Sequence, residues 1–246
     1  MSVFLEVTDL RKEFVGMVAV NQVSFQVEQG GRLGIIGPNG AGKTTTFNMI
    51  AGSLKPTRGS IRFEGKRIDG LRPHKISRKG IGRTFQNVRS FKELTVYDHV
   101  MAGLLAHEFR FKPTSEQEGR IEEILELTML KDYMDTQVKN LTIAFQRRIE
   151  LATAMATGPK LLLLDELMAG LTYVEIDQTL DLLRMINEEM GVTLIVVEHV
   201  MKVIMELCKH IIVLNYGEKI AEGNPETVAN DPTVIEAYLG EESDYA

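Results

Sequence analysis

Gly37-Pro38-Asn39-Gly40-Ala41-Gly42-Lys43-Thr44-Thr45 follows directly on the apolar stretch Arg32-Leu33-Gly34-Ile35-Ile36, and the reading of this stretch decides the fold. Gly37, Gly40 and Gly42 carry no Cβ, so the backbone can take positive φ and turn successive amide N–H groups toward one point. A helix starting near Gly42 brings its N-terminal partial charge to the same point. Lys43 supplies a mobile cation for β- and γ-phosphates, and the Thr44 hydroxyl is of the type that ligates Mg²⁺. A surface glycine turn is the alternative, and the strand before and helix after the motif count against it. The stretch is expected to be a Walker A loop that binds a nucleoside triphosphate with Mg²⁺.

The rest of the chain suits a soluble globular protein with a full core. Its 246 residues are 44% hydrophobic and 25% charged, enough for one large domain or a domain with an insertion. A net charge of −6 argues against a nucleic-acid binder, which usually carries a basic excess. The single cysteine, Cys208, excludes an internal disulfide, fits a reducing compartment, and is read as a small apolar residue packed on a helix. Residues 1–10 lack a basic segment followed by an apolar core, so no secretory signal is expected. No apolar run reaches the roughly 18 to 20 residues that span a bilayer.

Residues 5–8, 23–27 and 59–65 alternate like strands of a small antiparallel sheet. The strand at 32–37 and a helix over about 42–52 form the first βα unit. From about 96 the pattern turns helical, with helices expected at 97–107, 115–130 and 145–157, the last stopped by Gly158-Pro159. An α/β pattern then resumes: a strand at 161–164 that is apolar on both faces, a helix over about 174–190, a strand at 193–197, and a hairpin of 211–214 with 219–222. The tail from Asn224 alternates turn and short helix. Met168, Met185, Met190, Met201 and Met205 fall at helical spacings and are read as core or subunit-contact filler. The organisation is therefore an α/β nucleotide-binding core over 1–87 and 159–246, interrupted over 88–158 by a helical subdomain.

Four apolar residues ending in Asp165-Glu166 make the second signal. A buried strand ending in Asp delivers a carboxylate to Mg²⁺ opposite Thr44. Glu166, one residue on, sits at the strand mouth, where it can act as general base toward water. Two acids capping a turn are the plainer reading, and the phosphate loop weighs against it. Gln86 lies at the junction of core and helical subdomain, where its amide oxygen can ligate Mg²⁺ or water and report on nucleotide; by itself it is a surface glutamine. His199 ends the strand that starts at Thr193, where a neutral imidazole can donate to a γ-phosphate; the bland alternative is a satisfied structural histidine.

The order phosphate loop, Gln86, Leu141-Thr142, Asp165-Glu166, His199 resembles the ATP-binding subunits of ABC transporters across essentially the whole chain. Residues 37–45, 83–91 and 197–202, together with the variant at 165–171, are most similar to the LivG type, which energises uptake of branched-chain amino acids and whose relatives handle urea and short amides. The resemblance implies a phosphate-loop NTPase (RecA-like) α/β core with an antiparallel β subdomain and an inserted α-helical subdomain. It makes Phe14 the aromatic that stacks on adenine, although simple core remains an alternative. Residues Gly37, Pro38, Asn39, Gly40, Ala41, Gly42, Lys43, Thr44 and Thr45 become the phosphate cradle, with Lys43 its clamp. Thr44, Gln86 and Asp165 become the Mg²⁺ shell, Glu166 the catalytic base and His199 the γ-phosphate switch. It also implies a head-to-tail dimer with an identical chain or a paralogue, with ATP held between one chain's loop and the other's signature at Thr142 and Ala144. Partners would be integral-membrane permease subunits and, indirectly, a solute-binding protein, with the chain peripheral to the cytoplasmic face of the membrane.

Two departures stand out. Where the family reads Leu-Ser-Gly-Gly-Gln, this chain has Leu141-Thr142-Ile143-Ala144-Phe145. Thr142 keeps a hydroxyl, and backbone N–H donors survive side-chain changes, provided Ala144 keeps negative φ. Thr172 stands where many relatives carry Asp. A regulatory module with weak turnover and a non-transport ABC ATPase stay open as alternatives. Between Lys66 and Lys92 stand nine Lys or Arg and one acid, Asp69. This stretch is either a solvated face or a rim for acidic coupling loops or anionic headgroups, over an apolar floor of Val88, Phe91, Leu94 and Val96.

Overall fold

Leu161 and Leu163 pack into one hydrophobic core and Leu162 and Leu164 into another, because successive side chains of a strand point to opposite faces. A strand apolar at every position therefore needs cover on both sides, and this requirement organises the molecule. The computed structural model describes residues 3–84, 91–106 and 112–243. Its strands are β1 (Val3–Phe14), β2 (Met17–Glu28), β3 (Arg32–Ile36), β4 (Arg58–Phe63), β5 (Lys66–Arg67), β6 (Ile81–Arg83), β7 (Leu161–Asp165), β8 (Thr193–Val197), β9 (His210–Asn215) and β10 (Glu218–Gly223). The helices are α1 (Lys43–Ile50), α2 (Pro73–Ser77), α3 (Val96–Leu105), α4 (Ser115–Leu127), α5 (Ile143–Ala156), α6 (Tyr173–Glu188), α7 (Met201–Leu207), α8 (Pro225–Ala229) and α9 (Pro232–Ser243).

Two sheets result. Strands β2-β1-β4-β5 form an antiparallel sheet, and β10-β9-β3-β8-β7-β6 form a second. In the second, β9, β3, β8, β7 and β6 run parallel, and β10 returns antiparallel as the outer arm of a hairpin. One face of this sheet shares a core with the antiparallel sheet and α1, through Leu33, Ile35, Phe47, Leu163 and Ile195. The other face packs on the helices, through Ile36, Leu164, Val196, Leu183 and Ile204.

The expected strands and helices are all present, with ends shifted by a few residues. Short elements such as β5, β6 and α2 went unread, because two, three and five residues are too few to show a period. Helix α3 starts at a capping box in which Thr95 and Asp98 exchange backbone bonds, and α4 starts at an equivalent box of Thr114 and Gln117.

Of the five methionines read as core or subunit-contact filler, Met168 is core and Met185, Met190, Met201 and Met205 are exposed. The inward stripe of α6 is filled by Ile176, Leu180 and Leu183 and that of α7 by Val203, Ile204 and Leu207, so Met185, Met201 and Met205 fall on the outer faces. Val96 is fully buried in the helical core and cannot floor a surface groove; as the first residue of α3 it points inward. Cys208 caps the end of α7 and is buried, and burial pushes its thiol up to about 12, which keeps it unreactive. No described helix is long and apolar enough to cross a membrane.

Leu183 is 0% exposed. Leu183→Ala should lower unfolding free energy by about 2–5 kcal/mol in equilibrium denaturation, whereas Met190→Ala should stay within about 0.5 kcal/mol of the parent; equal effects would contradict this core assignment.

Candidate functional site

Strands β3, β8 and β7 are neighbours and parallel, so their C-terminal ends open on one edge. Ile35 is level with Val197, and Val197 with Asp165. The next residues of the three strands (the loop from Gly37, then Glu198 and His199, then Glu166) are thereby delivered side by side. Ligands of open α/β sheets bind at such an edge.

The loop from β3 has the backbone that its glycines permit. Gly37 has φ of 144°, and a Cβ there would lie 2.0 Å from the Leu214 carbonyl oxygen. Gly42, the N-cap of α1, has φ of 97°, and a Cβ there would meet the Ala19 carbonyl oxygen at 2.6 Å. Substitution at either is blocked by both conformation and space. The β9–β10 turn braces the loop from behind, Gly217 N–H donating to Ala41 O at 3.1 Å. Lys43 is buried, and its ammonium donates to Gly37 O at 2.5 Å and Pro38 O at 2.7 Å, which holds it over the loop. Asn39, Gly40 and Thr44 are exposed and Thr45 is half-buried. Pro38 and Ala41 are buried.

Asp165 is 1% exposed. Its Oδ2 accepts from Arg83 Nη2 at 2.8 Å, and its backbone N–H donates to Thr84 Oγ1 at 3.2 Å. Arg83 Nη1 also donates to Asn48 Oδ1 at 2.6 Å, tying β6 to α1 and to the end of β7. Burial, the largest influence, pushes the Asp165 carboxyl above the usual carboxylate range, against the pull of Arg83. The second oxygen, Oδ1, is buried and has no hydrogen-bond partner among the described residues.

Glu166 lies in the left-handed region, φ 50°, with its side chain 13% exposed. Its Oε1 is 2.7 Å from His199 Nε2. The two residues assigned separate roles from the sequence therefore form one hydrogen-bonded pair. Glu198, between the sheet and the turn after Glu166, is buried, and burial pushes its carboxyl up to about 7. Sequence reasoning missed Glu198 and Arg83. Each sits at the end of an apolar strand, where a charged residue is out of keeping with the run before it, and that was the available signal.

Gln86 and Val88 lie outside the described residues. Phe14 is 42% exposed at the end of β1, with Lys12 Nζ 5.1 Å from its ring centroid; it is a surface aromatic, and the core alternative falls. Thr142 is the N-cap of α5 and its side chain makes no capping bond. Ala144 lies inside α5, in the helical conformation its methyl requires. Phe145 packs at a tilt against Tyr133 with ring centroids 4.4 Å apart and lies under Arg148, so the residue replacing the family glutamine belongs to the helical layer. Thr172 caps α6, exchanging backbone bonds with Glu175, the local job a capping Asp would do.

A cavity of about 420 Å³ opens between α2, β6, α3 and α5, lined among others by Phe91, His99, Ala102, Gly103, Ile149 and Glu150. Arg83 reaches its wall. Of the four residues expected to floor this groove, Phe91 lines it, Leu94 is half-buried and Val96 is core.

A glycine loop bent against β9, a helix starting on it and an Asp-Glu pair two strands away define a phosphate-loop NTPase. A family model described as ABC transporter matches residues 20–169, and one described as branched-chain amino acid ATP-binding cassette transporter matches residues 218–244. The chain is 42% identical to the high-affinity branched-chain amino acid transport ATP-binding protein BraF of Pseudomonas aeruginosa, over 96% of this chain and 98% of that one. It is 38% identical to LivG of Escherichia coli, named for the same role, with the same coverage. Among solved structures, the ADP conformation of an ATP-binding cassette of an ABC transporter superposes with TM-score 0.89 at 29% identity, covering 98% of this chain and 100% of that one. A dimeric cassette in a post-hydrolysis state, bound to ADP and Pi, gives 0.80 at 26% identity, covering 90% and 98%. The chain belongs to the ABC transporter family, as an ATP-binding, ATP-hydrolysing subunit.

Lys43→Ala should abolish tight ATP binding in titration calorimetry with the fold intact by circular dichroism; wild-type affinity would remove Lys43 from the phosphate site.

Proposed function

We propose that this chain is the motor of an importer for branched-chain amino acids or related small polar solutes, working as a head-to-tail dimer beneath a membrane permease on the cytoplasmic side. The observation that carries the hydrolytic half of this reading is the Glu166–His199 pair, placed one residue beyond Asp165 and across β8 from the phosphate loop. The kinship with BraF and LivG supports the solute class.

In this reading the loop amides and the α1 N-terminus grip the β- and γ-phosphates, and Lys43 adds its charge. Phe14, exposed at the sheet margin, stacks on the adenine. Thr44 Oγ1, Asp165 Oδ1 and Gln86 hold Mg²⁺; the lone buried Oδ1 fits a hard cation, which favours oxygen donors and few protein ligands when phosphates supply the rest. Mg²⁺ supplies charge neutralisation on the phosphate oxygens. Glu166 accepts the proton of the attacking water, and His199 Nε2–H, donating to Glu166 Oε1, fixes the direction of that carboxylate. When the partner chain closes, its Thr142 hydroxyl and the uncapped amides of its α5 approach the γ-phosphate, which the side-chain changes at Ile143 and Phe145 leave untouched. The groove beside α2 receives a cytoplasmic loop of the permease. Its wall includes Arg83, which also holds Asp165, giving the docked loop a short path to the reaction centre.

Glu166→Gln should retain ATP binding, prolong the ATP-bound dimer and reduce phosphate release by about 10² or more, the scale of lost general-base catalysis; unchanged turnover removes Glu166 from that role. Thr142→Ala should act through the opposite subunit. A mixed dimer with Lys43→Ala on one chain and Thr142→Ala on the other should keep one intact site if both changes fall in the same composite site, whereas both changes on one chain should damage both sites. Identical turnover of the two arrangements contradicts the sandwich.

A further inference from the structure

Three consecutive residues at the end of β8 hold the short turn that carries Glu166. The Val197 carbonyl accepts from Glu166 N–H at 2.9 Å. Glu198 Oε1 accepts from Met168 N–H at 2.8 Å. The His199 ring meets the Glu166 carboxylate at 2.7 Å. Between these holds Glu166 adopts φ of 50°, a conformation a non-glycine residue keeps only when its surroundings impose it. The first hold is main chain and survives any substitution. The third is made by a ring that is 47% exposed. The second is made by a carboxyl 4% exposed, beneath the turn.

That carboxyl is an expensive way to satisfy backbone amides, Met168 foremost and His199 beside it, because burying an acid costs several kcal/mol in either protonation state unless its partners repay it. We propose that Glu198 is a positioning residue for the hydrolytic step: by accepting the Met168 amide it fixes the turn 166–169, and with it the direction in which Glu166 faces the γ-phosphate. The inference rests on the reading of Glu166 as the base. Charged and neutral forms of Glu198 both present an acceptor oxygen, so the hold does not depend on ionisation; the upward shift to about 7 agrees with a group valued as an acceptor and not as a charge. Leu167 and Met168, the turn's own apolar side chains, are buried at 2% exposure, so the turn has one way to sit once the amide is held.

The test compares Glu198→Gln, which keeps a carbonyl acceptor, with Glu198→Met, which keeps the length and removes it, alongside Glu166→Gln. Steady-state kcat and KM for MgATP are read with native amide hydrogen exchange at Met168. Glu198→Gln should keep kcat within about threefold and leave Met168 protected. Glu198→Met should lower kcat about tenfold, the size of one lost buried hydrogen bond, with KM within about twofold and Met168 exchange accelerated. Unchanged kcat in Glu198→Met, or a parallel loss of kcat and ATP affinity, overturns the proposal. If Glu198→Met fails to fold, Glu198→Gln decides alone: a tenfold loss with Met168 still protected means that charge matters and not the hold. Full turnover in Glu166→Gln would instead sink the assignment of the base, whatever Glu198 does.

Discussion

The parallel pairing of β8 with β3 on one side and β7 on the other sets where every reacting group stands. Because the three strands share a direction and a register, the phosphate loop, His199 and the Asp165-Glu166 pair emerge together at one edge. A slip of one residue in the β7 pairing would turn Asp165 into the opposite core and put Leu164 on the face Asp165 now occupies. The apolar runs of β7 and β8 serve the chemistry indirectly: cores on both faces of the sheet fix the register, and the register fixes the site.

Charge within this edge is balanced with little help from solvent. Arg83 faces Asp165, and Arg147, buried on α5, pairs with Glu150 and lies close enough to act electrostatically on both Asp165 and Glu198. Removing one member of such a buried pair leaves an uncompensated charge that costs about 3–5 kcal/mol. The same links give mechanical connection. Arg83 and Glu150 line the groove proposed for the permease, and each is bound to a group at or beside the reaction centre. In the proposed assembly, a loop seated in that groove would meet Arg83, which holds Asp165, the proposed Mg²⁺ ligand.

Much of this was legible in the sequence, for identifiable reasons. The glycines at 37 and 42 announce their loop because conformation and space both exclude a side chain there, and the four leucines ending in Asp165 announce a central strand because only double cover permits such a run. What stayed hidden was carried by single residues whose meaning depends on a partner far along the chain. Arg83 reads as one more base in a basic stretch until it is seen against Asp165, 82 positions away. Glu198 reads as a neighbour of His199 until the Met168 amide is found donating to it. The methionines stayed undecided between core and subunit contact for another reason: helical spacing identifies a stripe, but which stripe faces inward is decided by the neighbouring elements.

The most direct measurement is a structure of the dimer with Mg²⁺ and a non-hydrolysable ATP analogue. The account predicts β- and γ-phosphates seated on the amides of residues 37–45 with Lys43 Nζ against them, Asp165 Oδ1 turned toward the metal, and Glu166, still bonded to His199, facing the γ-phosphate. A nucleotide bound away from that loop, or a metal that ignores Asp165, would contradict it.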